Sequence, residues 1–104
     1  MTDNNDERLR TGLGFAMKAG KVKSGELAAE KTLKSGKAFV AVVDSEASEQ
    51  TKKHWSDMCN NAAVPVVFTA CVGRAIGREA HMVACVTDRG FAQMILRGRE
   101  EKQL

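Results

Sequence analysis

The sequence predicts an α/β protein, a three-layer α/β/α sandwich around a small, mostly parallel or mixed sheet. Three observations carry this expectation. Segments with helical periodicity alternate with short, continuous apolar runs along the 104 residues. Those runs show no polar alternation, as strands covered on both faces do not. The length and the 43% hydrophobic content suit one packed core and leave no room for a second.

The elements follow in order. Residues 1–6 are polar and are expected as a frayed tail, with a single domain over 7–97 and a charged tail over 98–104. Leu9, Leu13, Ala16 and Met17 lie at i, i+4, i+7 and i+8, so they mark one face of a helix that Gly20 ends. Val22 reads as a short extended link. Ser24 is a good N-cap and Glu26 suits the first turn of a second helix, through Leu27, Ala28, Lys31 and Leu33 to a stop at Ser35-Gly36.

AFVAVVD (38–44) is then a buried strand. Ser48 opens a third helix with Trp55, Met58, Cys59 and Ala62 as its inward stripe. Pro65 opens the strand VVFT, where its missing N–H does little harm. VGRAIG (72–77) has room only for a short helix, and MVACVT (82–87) is a third buried strand. Asp88 caps a last helix carrying Phe91, Met94 and Ile95.

Composition narrows the function. The longest apolar run, Ala38 to Val43, falls far short of the roughly 20 residues a spanning helix needs. The start MTDNNDERLR does not read as a secretory signal, so a cytoplasmic location is expected. Cys59, Cys71 and Cys85 are odd in number and widely spaced, without a CxxC pair, and read as small core residues. Neither they nor His54 and His81 have metal-ligand spacing, and no cofactor is implied.

The formal net charge of +3 is unevenly spread. Lys18, Lys21, Lys23, Lys31, Lys34 and Lys37 face only Glu26 and Glu30 in their stretch, whereas the first seven residues carry Asp3, Asp6 and Glu7. Such asymmetry suits a polyanion-facing edge as well as a solvated lysine-rich face.

No catalytic constellation emerges. Asp44 and Asp88 stand where α/β enzymes keep site residues, yet each also stands beside a helix start, as an acceptor for free N–H groups. Cys71 can sit at a helix N-terminus but has no base beside it in sequence. TGLGFAM follows no strand, and LKSGKA lacks the first glycine of a phosphate loop. The aromatics, four Phe, one Trp and no Tyr, fall mostly on buried stripes, which leaves no stacking platform visible.

Three segments, KSGELAAEKTLKSGKA (23–38), VPVVFTACVGRAIG (64–77) and VACVTDRGFAQ (83–93), resemble in order and spacing the kink-turn RNA-binding ribosomal protein superfamily, of the L-seven-Ae and L-thirty-e type. LGFAMKAGKVKSGE is typical of its bacterial YlxQ-like branch, and the resemblance covers about residues 9 to 96. It implies the same sandwich, no enzymatic activity, and structured RNA as partner, with ribosomal RNA or the ribosome as its setting.

The RNA-binding edge it implies comprises the start of the second helix, the short fourth helix and the following loop. Matching residues are Lys23, Ser24, Gly25, Lys31 and Lys34, then Gly73, Arg74, Gly77 and Arg78, with 78–82 as the loop. The chain departs from that pattern in two places. Where kink-turn readers carry an Asn-Glu pair after the helix-opening glycine, Leu27 and Ala28 stand, and neither side chain can hydrogen-bond to a base. The segment between Pro65 and Gly73 is also about three residues shorter than the family's. An alternative expectation is a protein-interaction or ribosome-associated module that keeps the fold but has lost RNA recognition.

Overall fold

The computed structural model describes residues 4–101. Its elements run α1 (Asn4–Lys18), β1 (Val22–Ser24), α2 (Glu26–Lys34), β2 (Val40–Asp44), α3 (Glu49–Ala62), β3 (Val66–Thr69), α4 (Val72–Ile76), β4 (Val83–Val86) and α5 (Arg89–Glu101). The sheet order is β1-β4-β2-β3, and it is mixed: β2 and β3 are parallel, while β4 is antiparallel to both β1 and β2.

Strand β2 explains the sandwich. All five of its residues are buried. Alternate residues serve opposite layers: Val40 and Val42 pack with Leu9, Leu13, Val72, Ile76 and Ile95 from α1, α4 and α5. Ala41 and Val43 pack with Ala29, Leu33, Trp55 and Cys59 from α2 and α3. Strand β4 divides in the same way, with Ala84 and Val86 on one side and Val83 and Cys85 on the other. An unbroken apolar run is what a period-two strand needs when both faces are covered.

Several boundaries differ from those read in the sequence. Val22 begins a fourth strand rather than a link, and Val22 to Ser24 pair with Val86 to Ala84. Three residues with one apolar side chain are too few to show a period. Helix α1 begins at Asn4, inside the stretch expected to be tail, and α5 continues to Glu101 beyond residue 97. Residues 1–3 and 102–104 lie outside the described residues.

Helix α2 buries Ala29, Thr32 and Leu33, leaving Leu27 87% exposed. In α3 only Trp55 and Cys59 of the expected stripe are fully buried; Met58 is half-buried and Ala62 exposed near the helix end. In α5, Ala92 and Ile95 face the core while Met94 is exposed.

The helix ends expected at Ser48 and Asp88 are present. Ser48 Oγ accepts from the Thr51 N–H at 3.1 Å, and Asp88 Oδ2 accepts from the Phe91 N–H at 2.9 Å.

Candidate nucleic-acid interface

At the end of β1 the chain must pass from strand to helix within one residue, and Gly25 makes that turn with φ 87°. Its N–H donates to the Val83 carbonyl at 2.9 Å, extending the β1–β4 ladder, and its carbonyl accepts from the Ala29 N–H at 2.9 Å. The helix therefore starts without a side-chain cap. Its first-turn N–H groups form the positive end of the α2 dipole, at the surface.

Ser24, expected as the N-cap, is instead the last residue of β1, and its hydroxyl is 2.8 Å from Nδ1 of His81. The strand carries the Ser24 side chain to the loop after α4 and away from the α2 amides. The His81 ring covers Gly25, with Cε1 and Nε2 each 3.4 Å from where a Cβ would stand. His81 was not legible as part of this edge, because nothing in its sequence neighbourhood places it against residue 25.

Loop 78–82 is held from below. Gly73 is buried, and a Cβ there would meet the carbonyl oxygens of Arg78, Glu79 and His81 at 2.5, 2.7 and 2.7 Å. The Arg78 N–H donates to the Gly73 carbonyl at 2.8 Å, and the Asp44 N–H to the Met82 carbonyl at 2.7 Å. Gly77 ends α4 with φ 73°. Gly73 and Gly77 thus shape the edge and have no side chain to touch a ligand.

Asp44 fixes α4 from the neighbouring strand. Its Oδ2 accepts from the Val72 N–H at 3.1 Å and its Oδ1 from the Glu46 N–H at 2.8 Å. Both candidate carboxylates, Asp44 and Asp88, are therefore helix-start acceptors.

Beside Gly25 a groove of about 250 Å³ is lined by Glu26, Ala47, Ser48, Thr51, Ala80, His81 and Met82. The N-terminal ends of α2 and α3 meet there, so two helix dipoles present their positive ends to one space.

The expected site residues divide into two groups. Ser24, Gly25, Gly73 and Arg78 gather around His81. Lys23 is exposed on edge strand β1, and Lys31 is exposed on α2. Lys34 lies at the far end of α2, 2.8 Å from Glu30. The Lys34 hydrogen bond and charge hold the Glu30 carboxyl below its ordinary range, against a small opposing effect of burial. Arg74 is exposed on α4. It lines a separate groove with Arg10, Thr11, Phe15 and Lys18 of α1, because α4 packs its outer side against that helix.

Two expectations about side chains need correction. Phe15 is 54% exposed and Phe39 37%, so aromatic surface is available, Phe39 beneath the Arg89 guanidinium at 5.6 Å. Cys71 is not a core residue: it is exposed at the start of α4 in a left-handed conformation, φ 62°. Cys59 and Cys85 are buried, and burial pushes their thiols up to about 11 and about 12. Among the described residues, no group of three or more His, Cys, Asp or Glu is placed to hold a metal ion. No helix there is long and apolar enough to cross a membrane.

Comparison with known proteins agrees with this architecture. The RNA-binding protein YlxQ of Bacillus subtilis is 40% identical over 87 residues, covering 81% of this chain and 87% of its own. The RNA-binding protein YlxQ of Enterococcus faecium is 31% identical over 96 residues, covering 89% of this chain and 92% of its own.

Among solved structures, a Bacillus halodurans protein described as of unknown function superposes with a TM-score of 0.83 at 28% identity, over 89% of this chain and 97% of its own. The Giardia lamblia 15.5kD RNA binding protein shares the fold, with a TM-score of 0.79 at 18% identity, over 99% of this chain and 91% of its own. The model of the ribosomal protein L7Ae/L30e/S12e/Gadd45 family matches residues 7–95, nearly the whole described domain, and this chain belongs to that family and to its YlxQ-like branch.

Proposed function

We propose that this chain is a non-catalytic RNA-binding protein that grips structured RNA at the edge formed by the α2 N-terminus and loop 78–82. The observation that carries this reading is the uncapped start of α2 at Gly25, beside the loop held over Gly73. First-turn amides and a dipole end there suit phosphate oxygens, and the missing Gly25 side chain lets the His81 ring lie beside the helix start. Lys23, Lys31 and Arg78 supply exposed charge around it. The relatives named RNA-binding protein YlxQ support the ligand class.

Recognition at this edge is by shape and phosphate charge. Leu27 and Ala28 are exposed where hydrogen-bonding groups would be needed to read kink-turn bases, so a kink-turn in this reading is bound as a fold and not base by base. Ribosomal RNA in the cytoplasm is the natural setting.

Titration with a fragment of ribosomal RNA at several salt concentrations tests this. Affinity falls as salt rises, and Lys31→Ala or Arg78→Ala each reduces the log–log slope by about 0.7 to 0.9, the share of one phosphate contact. Absence of binding to any structured RNA at low salt refutes the proposal.

A second reading is favoured by Leu27, whose 87% exposure puts an apolar side chain beside the α2 start. In it the same edge meets a protein. Capture of a partner from extract that survives ribonuclease, together with no RNA binding, would select that reading.

A further inference from the structure

The groove between α1 and α4 shares only Gly77 with the edge just described, and its chemistry is of a different kind. Gly14 allows the two helices to approach closely, since a Cβ there would lie 3.2 Å from the Ala75 carbonyl oxygen. Alongside that contact runs a groove of about 480 Å³, lined by Arg10, Thr11, Phe15 and Lys18 from α1, by Arg74 from α4 and by Gly77 just after it, among others. Its size falls within the range of small-ligand sites, about 300–1,000 Å³.

Three cations and no carboxylate line it; Glu7 belongs to the adjoining groove, which shares Arg10 and Arg74. Arg10 is held in place, its Nη1 donating to Thr69 Oγ1 at 3.2 Å and to the Ala70 carbonyl at 3.4 Å, and it keeps further N–H donors. Thr11, Phe15 and Lys18 follow one another at i, i+4 and i+7, so they share one face of α1. The Phe15 ring is 54% exposed on that face. An exposed phenyl ring in a groove also lined by three cations offers a π-face to a base and positive charge to its flanking phosphates.

We infer that the α1–α4 groove is a second RNA site, which takes an unpaired nucleotide of a single strand, its base stacked on Phe15 and its phosphates against Lys18 and Arg74. This rests on the RNA-binding reading for the ligand class only. The site, its residues and its preference for unpaired RNA are separate from the Gly25 edge. Together the two would hold a structured element at one edge and its single-stranded flank at the α1–α4 face.

The test uses two probes, a labelled eight-nucleotide oligouridylate and a labelled ribosomal RNA hairpin without single-stranded flanks. Expected results are an ultraviolet cross-link from the oligouridylate to tryptic peptide 11–18, TGLGFAMK, and an affinity about fivefold or more weaker in Phe15→Ala, the lower end for loss of one base–aromatic stack. Phe15→Leu shows the same loss because it keeps apolar bulk but has no π-face, and Phe15→Trp restores binding. The exposure of Phe15 lets each variant be compared at an unchanged urea midpoint.

Wild-type oligouridylate affinity in Phe15→Ala, with cross-links only outside 11–18, overturns the inference. Hairpin binding without any oligouridylate binding overturns it too and leaves the edge reading standing. Failure of both probes removes both.

Discussion

Gly73 is the position where the structure and ordinary helix rules predict opposite outcomes. It lies within helix α4. Replacing an interior helical glycine by alanine ordinarily stabilises by about 0.5–1 kcal/mol. Here the added Cβ would stand 2.5 to 2.7 Å from three backbone carbonyl oxygens, those of Arg78, Glu79 and His81. None of these can swing aside as a side chain can, so the strand-connecting loop itself must move. Overpacking of this kind costs about 1–3 kcal/mol, and three backbone contacts place it at the upper end. After the helix-propensity gain, Gly73→Ala should lose about 2 kcal/mol.

Urea unfolding measures the loss. With a slope of about 1–2 kcal/mol/M, the midpoint falls by about 1–2 M. RNA affinity should fall in the same variant, because the displaced loop carries His81 and Arg78. Gly14→Ala is the comparison, since its single contact is 3.2 Å and its midpoint should move by no more than a few tenths of a molar unit. A Gly73→Ala protein as stable as the wild type, with unchanged RNA affinity, refutes the role assigned to the bare Cα of Gly73.

Asp44→Ala removes acceptors from two backbone N–H groups, at Val72 and Glu46, and should cost about 2–4 kcal/mol in urea unfolding; Asp44→Asn, which keeps one acceptor, should cost less. A thiol reagent should label one cysteine per folded chain, Cys71, and all three in denaturant, because Cys59 and Cys85 are buried. Stability should fall as pH rises from 9 towards 11 and 12. Unfolded thiols lose their protons from about 9.0, while folded Cys59 and Cys85 keep theirs to about 11 and about 12, so the folded state binds more protons across that window. In Cys85→Ala the decline should be shallower, and an equal decline would remove the thiols as its cause.

The parts of the fold that were legible in the sequence are those whose pattern is long. Leu9, Leu13 and Ala16 display the α1 face, and the valines of β2 display burial on both sides. Strand β1 was not legible because its pairing with β4 makes it a strand, not any property of Val22 to Ser24 alone. The edge was partly legible. Gly25 stands out as a helix-opening glycine, but the partner that covers it, His81, is far along the chain, and Ser24 looks like a cap because local sequence does not show where its hydroxyl is carried.

Arg74 and Phe15 illustrate the same limit at the α1–α4 groove. At 100° per residue Phe15 falls off the face shared by Leu9, Leu13 and Ala16, so its exposure follows from the α1 pattern, but the groove it lines does not. Only the packing of α4 on α1 brings Arg74 to the groove that Phe15 lines.

The most direct test of the RNA edge is an amide-resolved titration of the isotope-labelled protein with a structured ribosomal RNA fragment at low salt. The largest shifts are expected at Gly25, Glu26, Leu27 and Ala28 and along residues 78–82, reversed by added salt. Shifts confined to α3 or α5, with the α2 start and loop 78–82 unmoved, would contradict it.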